Sequence, residues 1–158
     1  MEKVKLIIKK FHPKVKIPTL AYDLALGFDI YPYSVEKVSP GINAPGTYTI
    51  MFSTGLAIKI PEGYGVILKE RSASCKWKYP SILRAGVIDA DYTGEWKIIF
   101  NVHCSSSMDA LTFAKELVKS ENAICQGIVQ KKYDVEFEVV NKLDSTKRGD
   151  KGFGSSDT

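Results

Sequence analysis

Two carboxylates and a phenol, Asp89, Asp91 and Tyr92, fall within four residues of the stretch RAGVIDADYTGEW (84–96), between apolar runs of strand character. A tight hairpin closes with Asn-Gly or Asp-Gly and gains nothing from an acid at the end of a strand such as AGVID. Asp89 is therefore either turn chemistry or catalysis. A carboxylate is a weak base that works by position, holding a water within hydrogen-bond reach of the atom to be attacked.

The end of the chain, RGDKGFGSSDT (148–158), is the second stretch with chemistry in it. Glycines let a backbone approach a phosphate closely, Arg148 offers a forked set of donors, and Phe153 offers a flat face to a base. Gly154, Ser155 and Ser156 follow, and together these residues read as a nucleotide lid. A plain Gly/Ser tail, mobile when alone in solution, is the competing reading.

Elements must position these residues. At 158 residues the chain fits one domain with a core of its own. Cys75, Cys104 and Cys125 are odd in number, widely spaced and free of any C-x-x-C pair, so they read as reduced thiols. No apolar run reaches the roughly 20 residues of a membrane span, and the start of the chain lacks a signal-peptide core, which predicts a cytoplasmic protein. The net charge of +4 is modest and the lysines are scattered, which favours a small anionic ligand and argues against nucleic-acid binding.

Short period-two or β-branched runs, KVKLIIK, TYTIMFSTGLAIKI, YGVILK, WKIIFNV, AICQGIVQ and VEFEVV, predict an all-β, antiparallel, barrel- or sandwich-like fold. SPGINAPG reads as a loop and IPEGYG as a turn. In SSMDALTFAKELVKS, Met108, Leu111, Ala114, Leu117 and Val118 recur at helical spacing behind Ser106 or Ser107 as N-cap, so a helix with that core-facing stripe is expected.

Placed in order, ALGFDIY, ERSAS, AGVIDADYTGE, AICQGI and RGDKGFGSS resemble the five motifs of the trimeric deoxyuridine triphosphatase (dUTPase) family and span residues 25–156. The resemblance implies a jelly-roll-like β-barrel over 1–147 with a C-terminal lid over 148–158. It also implies a homotrimer with shared active sites, and Mg2+ on the triphosphate. The activity implied is hydrolysis of dUTP to dUMP and pyrophosphate, which keeps uracil out of DNA and supplies dUMP for thymidylate synthesis.

On that resemblance Asp89 matches the base that activates the attacking water, and Tyr92 the aromatic that excludes a 2′-hydroxyl. Ala85, Gly86 and Ile88 belong to the hairpin that reads uracil through backbone groups. Arg71, Ser72 and Gln126 match phosphate contacts, and Asp29 a supporting acid in the outer shell of a metal with no direct protein ligand. From the tail, Arg148 would hold the terminal phosphate, Phe153 would stack on uracil, and Gly154, Ser155 and Ser156 would cradle the phosphates. Asp91 is left as hairpin structure.

Glu70 stands where the family has proline, Leu26 where it has a small residue, and Lys151 where it has glycine. Glu70 thus either points away from the triphosphate or weakens its binding. The 107–120 stretch lengthens the connection between the third and fourth motifs, which predicts a surface excrescence and a possible protein partner there. Rival readings are a dCTP deaminase of the same superfamily and a dUTPase-shaped regulatory protein without activity. A zinc deaminase is poorer, since H-x-E and P-C-x-x-C are missing from the sequence.

Overall fold

The computed structural model describes residues 2–41 and 44–152. Nine strands and one helix follow in order: β1 Ile7–Lys10, β2 Phe28–Ile30, β3 Ser34–Pro40, β4 Thr47–Lys59, β5 Tyr64–Glu70, β6 Ser81–Arg84, β7 Val87–Ile88, β8 Glu95–His103, α1 Ser107–Lys119 and β9 Cys125–Lys131. A 3-10 turn, Ser72–Lys76, links β5 to β6.

All pairings are antiparallel and form two sheets. The first runs β1-β4-β8-β6, with β3 also on β4; the second runs β2-β9-β5-β7. β4 is long enough that β3 pairs with its first half and β1 with its last four residues, on the side away from β8. Alternation along β8 sends Trp96, Ile98, Phe100 and Val102 inward to meet Ile50 and Phe52 of β4 and Val66 and Leu68 of β5. The result is the expected all-β, jelly-roll-like architecture.

The helix is present and capped as expected: the Ser106 hydroxyl accepts from Asp109 N–H at 3.1 Å. Its buried face overlaps the expected stripe, with Ala114 buried and Leu117 and Val118 packed against the core, but is centred differently. Ala110, Phe113 and Ala114 are buried, whereas Met108 is 67% exposed. The two alanines let α1 approach β3 and β4 closely, and Phe113 meets Trp77 and Tyr79 edge-on, with ring centroids at 5.8 and 5.4 Å. The insert is therefore part of the core rather than an excrescence.

VEFEVV does not form a strand. Residues 132–150 are exposed throughout, with Phe137 at 88% and Val139 at 97%, and no ladder joins them to either sheet. An alternating pattern needs a second surface to bury its apolar side, and none of the described residues provides one.

Candidate active site

The hairpin residues come first. β6 lies at the edge of one sheet and β7 at the edge of the other, so Ala85 and Gly86 make the corner between sheets. Ala85 takes a left-handed φ of 52°. A Cβ on Gly86 would sit 2.8 Å from the Leu68 carbonyl oxygen, so the close approach that lets Leu68 N–H donate to Gly86 O at 2.6 Å requires glycine. Ile88 buries its side chain in the core, leaving only its backbone for any ligand. As β7 is an edge strand, half of its N–H and C=O groups face away from β5.

Asp89 follows at the end of β7. Its carbonyl closes the turn by accepting from Tyr92 N–H at 3.2 Å, while its carboxylate is exposed and hydrogen-bonded to no described residue. Turn closure thus uses the Asp89 backbone and leaves the acid available for chemistry. Tyr92 lies over Gly94, where a Cβ would meet its ring and hydroxyl, and its O–H donates to Glu95 O at 2.9 Å. These contacts fix the ring's plane. An open groove of about 720 Å³ runs beside Asp89, between Tyr64, Gly65, Gln130 and Lys132.

A second cluster gathers where β5 ends. Asp29 on β2 pairs with Gln126 on β9, and Gln126 with Lys69 on β5, so the three strands carry their polar side chains to one place. Arg71 meets Asp29 side-on, with Nε to Oδ1 at 2.9 Å and Nη2 to Oδ2 at 3.2 Å, and Nη1 donates to Ala123 O at 2.9 Å. These bonds use three of five guanidinium donors, so the fork is held in place with N–H groups left for an anion. Gln126 Nε2 donates to Glu70 O at 3.1 Å, and its Oε1 occupies space that a side chain at Gly27 would fill. Ser72 opens the 3-10 turn, which the Ser74 hydroxyl braces by donating to Arg71 O at 2.7 Å. A groove of about 760 Å³ lies along this turn, lined by Arg71, Ser72, Cys75 and Tyr79.

The Glu70 carboxylate is turned to β6, where it accepts from Leu83 N–H at 3.2 Å and pairs with Lys69 at 3.4 Å. Its own backbone N–H holds its pKa below the ordinary carboxylate value; burial works against this, and Leu83 N–H and Lys69 work with it. The carboxylate is thus tied to β6 at the wall of the groove that Arg71 and Ser72 also line. Cys125, directly opposite Glu70 in the ladder, is fully buried, and burial pushes its thiol pKa far up, with Asp29 adding to the effect.

The two clusters do not meet within one chain. Ile88 pairs with Val66, which sets Asp89 level with Gly65 at the start of β5, whereas Arg71 follows its last residue. Six residues of strand separate them by about 20 Å. Arg148 is exposed on the arm beyond β9, its Nε donating to Lys151 O at 3.0 Å. Phe153, Gly154, Ser155 and Ser156 lie outside the described residues.

Asp29 and Gln126 were visible as motif residues. Gly27 and the Ala123 carbonyl were missed; a glycine just ahead of a strand that faces a long polar side chain is the available signal for the first. Among the described residues no group of three or more His, Cys, Asp and Glu could hold a metal ion. The Asp29 oxygens keep lone pairs beyond those given to Arg71, which suits a bond from a metal-bound water better than direct ligation.

Several comparisons bear on this arrangement. The dUTPase family model matches residues 13–157. A deoxyuridine 5'-triphosphate nucleotidohydrolase of Solanum lycopersicum is 35% identical over 149 residues, covering 94% of this chain and 79% of that protein. One from Helicobacter pylori (strain ATCC 700392 / 26695) is 32% identical over 154 residues, covering 97% of each. Among solved structures, a dUTPase variant of Staphylococcus bacteriophage 80alpha with dUpNHpp aligns at a TM-score of 0.71 and 24% identity, over 96% of this chain and 98% of that one. A variant of the phage phi11 dUTPase of S. aureus, described with a structural Mg(II) ion, aligns at 0.64 and 17% identity, over 89% and 99%. With the five motifs in order, a jelly-roll-like sandwich and a family match over nearly its whole length, this chain belongs to the dUTPase family.

Proposed function

We propose that this chain hydrolyses dUTP to dUMP and pyrophosphate, with Asp89 as the base that orients and deprotonates a water in line with the α-phosphorus. The observation that carries the reading is the 84–96 hairpin: its edge strand offers backbone groups to a base, Tyr92 is fixed over Gly94, and the Asp89 carboxylate has no structural bond among the described residues. In this reading backbone groups from Ala85 to Ile88 hold the uracil edge. The Tyr92 ring closes the space a 2′-hydroxyl would need. Arg71, Ser72 and Gln126 bind the phosphates, and in-line geometry with charge stabilisation supplies the rate.

Mg2+ would neutralise phosphate charge, with Asp29 accepting a hydrogen bond from one of its waters. The residues of 148–158 form a lid unit distinct from the sandwich: Arg148 on the terminal phosphate, Phe153 on uracil, and Gly154, Ser155 and Ser156 around the phosphates.

The separation of Asp89 from Arg71 supports a site assembled from more than one copy, as in a homotrimer. So does the unpartnered run in which Tyr133, Val135, Phe137 and Val139 alternate with Asp134, Glu136 and Glu138. A strand of that pattern belongs against another chain's sheet.

The test is release of pyrophosphate and ammonia from dUTP, dCTP, dTTP and UTP, with and without Mg2+. Pyrophosphate from dUTP alone is the expected result. Ammonia from dCTP, or silence on all four, overturns the reading.

A further inference from the structure

We propose that Glu70 is a positioning residue for the phosphate-binding turn, acting as a strap between the two sheets; the proposal rests on the reading of Ser72 and Arg71 as phosphate contacts. Three observations meet at this residue. Glu70 is the last residue of β5, in the second sheet, and its carboxylate accepts the Leu83 N–H of β6, an edge strand of the first. Its carbonyl accepts from Gln126 Nε2, and the next two residues are Arg71 and Ser72. Residue 70 is thus held by its side chain to one sheet and by its backbone to a phosphate-contacting amide, at the point where the chain leaves the ladder and enters the 3-10 turn.

The physical case is geometric. Past Glu70 the β5–β9 ladder ends, so the ladder itself no longer sets the direction of the chain. Arg71 is anchored through Asp29 and Ala123, but the Ser72 hydroxyl depends on the path of a five-residue turn with no buried side chain. A hydrogen bond to a charged acceptor is among the stronger single contacts available, and this one crosses between sheets instead of along a ladder. It also ties the carboxylate to β6 at the edge of the groove, so that the acid keeps one position beside the anion-binding turn. Glutamate here supplies a fixed chain path into the turn.

The experiment compares wild type, E70A and E70Q by hydrogen exchange at the Leu83 amide and by steady-state kinetics on dUTP. Glutamine keeps an acceptor oxygen; alanine does not. In E70A the Leu83 amide is expected to exchange about tenfold faster or more, and KM for dUTP to rise about tenfold. Its kcat should stay within about twofold, because Asp89 is untouched, and E70Q should restore both readouts.

An unchanged Leu83 exchange rate in E70A overturns the strap. Faster exchange with an unchanged KM overturns the positioning role, and so does an E70Q enzyme as defective as E70A. If E70A does not fold, E70D, whose side chain is one methylene shorter, takes its place under the same criteria. A wild-type chain that turns over no dUTP fails the activity reading instead, and Leu83 exchange then decides the strap alone.

Discussion

The Asp29 carboxylate and the Arg71 guanidinium meet side-on across the end of β5, with both carboxylate oxygens engaged at 2.9 and 3.2 Å. The pair is largely shielded, with side-chain exposures of 15% and 28%, so neither charge is solvated well enough to stand alone. Asp29→Asn leaves one acceptor and removes the charge. It should lower stability by about 1–3 kcal/mol, measured by urea unfolding, and raise KM for dUTP as Arg71 loses its fixed orientation. An Asn variant as stable as wild type would mean that the pair contributes nothing to the fold.

Asp89 and Arg71 lie at opposite ends of β5 in one chain, and this makes complementation possible. Asp89→Asn alone should cost about 10²–10⁴ in kcat with little change in stability, since the exposed carboxylate makes no bond among the described residues. Arg71→Ala should be inactive for a different reason. Co-refolded at equal amounts, the two variants should recover about a quarter of wild-type activity, the fraction of shared sites that draw each intact residue from a different copy. No recovery would mean that both residues act within one chain.

Gly86 sits where a methyl group would press on the Leu68 carbonyl oxygen at 2.8 Å. Backbone does not yield as a side-chain tip does, so Gly86→Ala has to part β7 from β5. The expected cost is about 1–3 kcal/mol, seen as a lower Tm, together with weakened dUTP binding because the uracil-reading edge moves.

Acid sensitivity should have an identifiable source at the base of the 84–96 hairpin, in the residue whose carbonyl holds Tyr92. The Glu95 carboxylate accepts from Gly55 N–H at 2.8 Å and from the Ser53 hydroxyl, and pairs with Lys97 at 2.6 Å; Lys97 also pairs with Glu36. Burial alone would push Glu95 up, but the hydrogen bonds from Lys97, Ser53 and Gly55 outweigh it and hold the pKa below its ordinary 4.5. A carboxyl depressed in the folded state stabilises above its unfolded pKa, and that contribution is lost as pH falls through the folded value. Glu95→Gln should therefore have a lower Tm than wild type at pH 7, with the gap closing as pH drops below about 4.5. A gap that stays constant into acid would remove Glu95 as the source.

What the sequence revealed follows from which interactions are local. The alternation in β8 and the Ser106 cap of α1 involve neighbours in the chain, and both are legible. The helix face was found in part, through Ala114, Leu117 and Val118, but Phe113 was missed because spacing identifies apolar positions and not which of them meets Trp77 and Tyr79, residues about 35 positions earlier. VEFEVV has strand composition without a strand's partner, and period two does not say whose sheet a run joins. The candidate site residues were legible through motif order. Their division into two clusters was not, since it depends on the register of β7 against β5. The place of Glu70 was hidden for the same reason: its partner Leu83 lies in the other sheet.

The arm beyond β9 has a consequence for affinity. Sixteen residues lie between Lys131, the last of β9, and Arg148, a contour of up to about 55 Å, against a body roughly 40 Å across. Arg148 can therefore reach pockets well beyond its own sheet edge while remaining covalently tethered. Tethers of this kind set an effective concentration near the millimolar range. In the lid role proposed for it, an arm held so close need bind only weakly to be engaged much of the time, and a weak hold lets it go once per turnover.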